Sequence, residues 1–168
     1  MRIYLVGYMY SGKTTVGRLL AQRLGYDFVD TDQLFENKYR TTIPLFLKKY
    51  DEPLFRKLEA QVLRSTETMD HVVVATGGGT PCHHGGMEWI LQHGVAVHLQ
   101  LDLEGALLRH AQSRNVRPLL AQMDEKECRE YVSRQLSQRD PYYTLAPISI
   151  DALNPDVEAL AAAVKAQL

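Results

Sequence analysis

The sequence predicts an α/β fold in which helical layers cover a mainly parallel sheet. Three observations carry that prediction. Short apolar runs alternate with longer stretches of helical spacing, the order of repeated βαβ units. The first apolar run, Ile3–Val6, passes directly into a glycine loop that opens a helical pattern. At 168 residues, with no internal repeat, low-complexity tract or linker, the chain fits one domain spanning residues 1–168. A domain of that size buries about 70% of the surface its unfolded chain exposes, so no staple is needed.

The predicted strands are Ile3–Val6, Asp27–Val29, His71–Ala75, Val95–Leu99 and Ile148–Ile150. After the first, Lys13–Leu24 places Val16, Leu19, Leu20 and Leu24 at helical spacing, and Gly25 supplies a stop. Pro44 and Pro53 divide Thr31–Thr68 into two or three helices, with the break near Asp51-Glu52-Pro53. Gly85–His93 and Leu103–Ala111 read as crossover helices, and Glu125–Gln138 as an amphipathic one. The polar stretch between them, residues 112–123, is expected to form a mobile lid. Pro155–Gln167 closes the chain as a helix with Asp156 and Glu158 in its first turn.

Composition narrows the partners. Lys and Arg total 19 against 20 Asp and Glu, so no overall field draws the chain to nucleic acid or membrane, and small soluble molecules are the expected partners. Cys82 and Cys128 form no C-x-x-C pair, which indicates neither a disulfide framework nor a zinc site. Met1–Val6 leaves no room for a leader, and no apolar run approaches the roughly 20 residues of a spanning helix. The expectation is a cytoplasmic monomer.

Gly7-Tyr8-Met9-Tyr10-Ser11-Gly12-Lys13-Thr14 matches G-x-x-x-x-G-K-[ST] between a strand and a helix. Glycines at both ends let the backbone curl round an anion, with amides of the helix N-terminus directed at phosphate oxygens. Lys13 would neutralise β/γ charge and the Thr14 hydroxyl would ligate Mg²⁺. The expected nucleotide contacts are Gly7, Ser11, Gly12, Lys13, Thr14 and Thr15. The bland alternative is a glycine turn that merely joins strand to helix. Tyr10 is unusual at a position that many such loops fill with Gly or Ala, and its side chain must point away from the phosphates.

Asp30-Thr31-Asp32 ends the second strand pattern, where residues two apart share a face and lie roughly 6.6 Å apart if extended. Strand carboxyl ends line the ligand crevice of an open α/β sheet. Asp30 is therefore expected to support Mg²⁺, and Asp32 to accept a hydrogen bond and then a proton from an acceptor hydroxyl. Capping of the helix Gln33–Tyr39 by either aspartate is the alternative. Gly77-Gly78-Gly79 follows the His71–Ala75 strand and offers backbone amides to the same crevice. Arg56 and Arg139 can each fork a carboxylate, although most arginines are simply solvated. Arg117, in Arg114-Asn115-Val116-Arg117-Pro118, is placed for a closing lid to deliver it to the phosphates. His83-His84 near Cys82 lacks a second ligand cluster at zinc spacing, and Trp89 reads as core.

In this order the motifs resemble those of the shikimate kinases, within the nucleoside-monophosphate-kinase-like group of P-loop folds, along nearly the whole chain. The stretches that carry the resemblance are Gly7–Thr15, Phe28–Asp32, Phe55-Arg56-Lys57-Leu58-Glu59, Gly77–Gly79, Arg117-Pro118-Leu119-Leu120 and Arg139-Asp140-Pro141-Tyr142-Tyr143. The resemblance implies a three-layer fold with a five-stranded parallel sheet in the order 2-3-1-4-5, and Mg²⁺-dependent transfer from ATP to the 3-hydroxyl of shikimate. It implies that Asp32 binds the shikimate hydroxyls, Arg56 and Arg139 clamp its carboxylate, and Gly78 and Gly79 touch the ring hydroxyls. Lys13, Thr14 and Arg117 resemble the ATP and Mg²⁺ contacts, Asp30 the metal-side acid. Tyr10 and Tyr142 depart from the family's usual residues. A gluconate-type kinase, or a regulatory module that binds ATP without an acceptor, are the competing readings.

Overall fold

The computed structural model describes residues 1–113 and 118–167. Five strands, β1 (Arg2–Val6), β2 (Asp27–Asp30), β3 (Val72–Ala75), β4 (Val95–Gln100) and β5 (Ile148–Asp151), form one sheet. All pairings are parallel and the order is β2-β3-β1-β4-β5. The central strands are apolar without alternation because helices cover both faces. Ile3 to Val6 are fully buried, as are Val73 and Val74.

The helices are α1 (Lys13–Leu24), α2 (Thr31–Tyr39), α3 (Ile43–Lys49), α4 (Glu52–Ser65), α5 (Gly86–His93), α6 (Leu103–Gln112), α7 (Pro118–Ala121), α8 (Glu125–Tyr143) and α9 (Val157–Lys165). The prolines behave as starters: Pro44 and Pro53 sit in the first turns of α3 and α4, where a missing N–H costs nothing. Thr42 and Asp51 cap those helices by accepting from the amides of Leu45 and Leu54. A capping box of Asp124 and Glu127 starts α8.

A second apolar cluster lies outside the sheet core. Phe35, Phe46 and Phe55 join α2, α3 and α4, with the Phe35 ring centroid 5.2 Å from Phe46 and 5.1 Å from Phe55. Edge-to-face contacts of this kind rigidify the unit that carries Arg56 on α4.

The helix expected over Lys13–Leu24 is α1, whose buried stripe includes Val16, Gly17, Leu20 and Ala21 and leaves Leu19 48% exposed. Two expectations need correction. Helix α8 does not stop at Gln138 but runs on to Tyr143 through Pro141, so Arg139 projects from a helix rather than from the turn after one. Asp32 is not on the strand: α2 begins at Thr31, and Asp32 occupies its first turn. Residues 114–117, including Arg114 and Arg117, lie outside the described residues. Around them, α6 ends at Gln112 and α7 covers Pro118–Ala121.

Candidate active site

The register brings three strand ends level. Leu5 pairs with Ala75, and Ala75 with Asp30, so the loops after β1, β3 and β2 rise from one edge. Thr76 ties two of them, its amide and hydroxyl both donating to the Leu5 carbonyl at 3.1 and 2.9 Å. The phosphate loop, Asp30 and the triple glycine are therefore neighbours by construction.

Within the loop, Gly7 has φ 152° and lies so close to β4 that a Cβ would come within 2.8 Å of the Leu99 carbonyl oxygen. Only glycine fits that approach. Lys13 is 9% exposed, and its ammonium donates to the carbonyls of Gly7 at 2.8 Å and Tyr8 at 2.9 Å. The positive charge is thus fixed at the mouth of the loop. Ser11 is fully buried with its hydroxyl 3.4 Å from Lys13 Nζ, so its backbone, not its side chain, is what the loop can offer an anion. Tyr10 adopts φ 68°, a left-handed conformation that costs a non-glycine residue roughly 1–2 kcal/mol. Its phenol reaches His110 Nδ1 on α6 at 3.2 Å.

Asp30 has two tasks. Its Oδ1 accepts from the Asp32 amide at 2.9 Å, which caps α2, and its Oδ2 accepts from the Thr14 hydroxyl at 2.8 Å. The capping alternative thus holds for Asp30, and its second oxygen faces Thr14 of the phosphate loop. Two neighbouring oxygens at this separation fit adjacent positions of an octahedral Mg²⁺, roughly 2.9 Å apart for bonds of 2.0–2.1 Å. Thr14 is exposed and Asp30 half-buried, which leaves room for the waters that Mg²⁺ retains.

Asp32, Arg56, Gly77, Gly78, Gly79 and Arg139 line one cavity of about 370 Å³. Met9 of the phosphate loop lines it as well, and a Cβ on Gly78 would lie 3.4 Å from the Met9 amide and 3.8 Å from the Gly7 carbonyl oxygen. The cavity and the loop share a wall.

Arg56 is held from below. Its Nη1 donates to Glu59 Oε2 at 2.9 Å and its Nε to Glu52 Oε1 at 3.3 Å. The Glu59 carboxylate is buried and also accepts from the Thr80 hydroxyl at 2.7 Å. A Cβ on Gly79 would fall 2.4 Å from Arg56 Nη1, so the glycine there makes room for the guanidinium. Arg139 sits over the Tyr8 ring, 5.8 Å from its centroid, and Tyr8 donates to Gln135 Oε1 at 2.5 Å. Glu59→Gln keeps the Thr80 contact but removes the charge that orients Arg56. The expected result is a rise of about 5- to 20-fold in acceptor KM with a lowered Tm, measured by initial rates and thermal unfolding.

Sequence reasoning gave no role to Glu59, Tyr8 and Tyr143, although they stand in the quoted motifs, and did not single out Gln135 or His98. Only Glu59 had a local signal, its i,i+3 spacing from Arg56 on a helix. His98 on β4 is 6% exposed; burial, and then the Lys13 charge, push it down to about 4. Between the ordinary value of 6.5 and about 4, the unfolded chain takes up a proton here and the folded chain does not. Stability therefore falls on acidification through that window, by about 1 kcal/mol per pH unit at most. In His98→Gln that slope is expected to flatten, as read from urea midpoints at pH 7 and pH 5; an unchanged slope would remove His98 as its source.

Known proteins share this arrangement of sheet and chain. The family model described as shikimate kinase matches residues 9–168. A shikimate kinase from Parabacteroides distasonis is 35% identical over 151 residues, covering 90% of this chain and 87% of the relative. A solved shikimate kinase from Bacteroides thetaiotaomicron superposes with a TM-score of 0.90 at 30% identity, over 99% of this chain and 97% of the other. One from Acinetobacter baumannii, solved in complex with shikimate, gives 0.84 at 36% identity over 99% and 91%. Sequence and backbone likeness both run nearly end to end, and the chain belongs to the shikimate kinase family.

Proposed function

We propose that the chain transfers the γ-phosphoryl group of ATP to the 3-hydroxyl of shikimate, giving shikimate 3-phosphate and ADP. The observation that carries this reading is the shared wall: an acid and two guanidiniums line a cavity whose other boundary is Met9 of the phosphate loop. An acceptor held there has its hydroxyl facing the terminal phosphate.

Arg56 and Arg139 grip the acceptor carboxylate through charge-assisted hydrogen bonds. Asp32 accepts from the hydroxyl and aims its oxygen at phosphorus. Phosphoryl transfer through a loose transition state asks for orientation and charge more than for a strong base, so an ordinary carboxylate suffices. Lys13 and the loop amides receive charge that builds on the phosphate oxygens. Thr14 and Asp30 would hold Mg²⁺, which when bound neutralises the β- and γ-oxygens. Arg117 completes the set when residues 112–123 close over the nucleotide and exclude water.

Residues 1–168 act in this reading as one domain, a monomer in the cytoplasm working on small molecules. Among the described residues no helix is long and apolar enough to cross a membrane. The near balance of charge favours neither nucleic acid nor a lipid surface.

A coupled assay of ADP release, with shikimate and gluconate run side by side in ATP and Mg²⁺, tests the reading. Shikimate-dependent ADP is expected. Preference for gluconate would replace the acceptor, and ADP release without any acceptor would replace the kinase reading.

A further inference from the structure

Tyr143 closes α8 and is fully buried. Its hydroxyl donates to the Gly78 carbonyl, and Arg139, one turn back on the same helix, brings its guanidinium beside the same glycine, with Nη1 3.1 Å from where a Cβ on Gly78 would stand. Burial raises the phenol well above its ordinary value, so the group stays an O–H donor.

The consequence follows from peptide geometry. The Gly78–Gly79 bond is trans, and in a trans peptide the carbonyl and the following N–H point in opposite directions. Drawing the Gly78 carbonyl towards α8 therefore turns the Gly79 N–H away from α8, and Gly79 lines the acceptor cavity. The Gly77 amide is already committed to the Thr31 hydroxyl at 3.1 Å, while the amides of Gly78 and Gly79 make no hydrogen bond among the described residues. Gly79 is buried, and a buried donor without a partner is costly until a ligand oxygen meets it.

We propose that Tyr143 is a positioning residue for the acceptor: through its hydroxyl it sets the Gly78–Gly79 peptide plane beside the Arg139 guanidinium. An amide and a cation then meet the acceptor's oxygens at a fixed mutual angle. This rests on the cavity being the acceptor site. If Tyr143 merely filled core space, its ring would carry the role and its hydroxyl would be dispensable. The neighbouring His98 ring, 5.4 Å away and tilted by 38°, packs against the aromatic ring, and the hydroxyl is given to the Gly78 carbonyl.

Tyr143→Phe separates the two roles because it keeps the ring. With shikimate as acceptor we expect its KM to rise about tenfold, the ATP KM to stay within about twofold, and Tm to change little. In the ligand-free protein labelled with ¹⁵N-glycine, the Gly79 amide resonance should shift and exchange with solvent at a different rate. An unchanged acceptor KM overturns the proposal, as does an equal rise in both KM values with a lowered Tm, which is general loosening. The two readouts also separate this idea from the reaction itself. A wild-type protein without shikimate turnover sinks the substrate assignment, whereas a Gly79 resonance unmoved by Tyr143→Phe sinks the peptide-plane argument alone.

Discussion

Lys13→Ala is expected to lower kcat by about 10²–10³-fold or more, the largest single loss among the site residues. The ammonium is buried at the loop mouth and anchored on the carbonyls of Gly7 and Tyr8, so in the proposed reaction its charge is already in place when the phosphate oxygens gain theirs. An alanine removes both the charge and the two contacts that tie the loop's entry to its helix. Thermal unfolding separates the effects, since a protein that keeps its Tm and loses turnover has lost electrostatic stabilisation and not its fold. Wild-type kcat in this variant would contradict the role given to Lys13.

Arg139→Ala is expected to raise the acceptor KM by about 10- to 100-fold, the loss of one charge-assisted hydrogen-bonding group. The ATP KM should change far less, because Arg139 meets the loop at the Tyr8 ring, on the cavity side. Initial rates over a grid of both substrates give the split. An unchanged acceptor KM would take Arg139 out of the clamp and leave Arg56 to carry the carboxylate.

Much of the fold was legible because the signals were local. Ile3 to Val6 read as a buried strand from four consecutive residues, and the loop after it declared itself by glycine spacing and by the strand and helix on either side. The prolines were legible as helix boundaries, and their first-turn positions in α3 and α4 follow from the missing N–H. The strand order came with the family resemblance, since nothing local in a strand names its neighbour.

The errors also have physical causes. The Asp30 and Asp32 pair satisfied a strand period, yet a capping aspartate starts a helix at once, and spacing alone cannot separate the two. The amphipathic pattern was read only as far as Gln138, but the helix continues through Pro141 to Tyr143, which is how Arg139 and Tyr143 come to share a face. The contacts of Tyr8 with Gln135, and of Tyr143 with Gly78, join residues 127 and 65 positions apart, and no local pattern reports such pairs. Glu59 was quoted in its motif without a role, although its spacing from Arg56 placed the two on one helical face and so foretold their ion pair.

The central claim is spatial: the phosphate loop and the acid-and-guanidinium cavity open onto each other. A crystal structure of the protein with shikimate, Mg²⁺ and a non-hydrolysable ATP analogue measures it directly. The account predicts the 3-hydroxyl oxygen about 3–3.5 Å from the γ-phosphorus, with the carboxylate between Arg56 and Arg139. Shikimate bound away from Asp32, or its hydroxyl directed away from the γ-phosphate with both ligands in place, would contradict it.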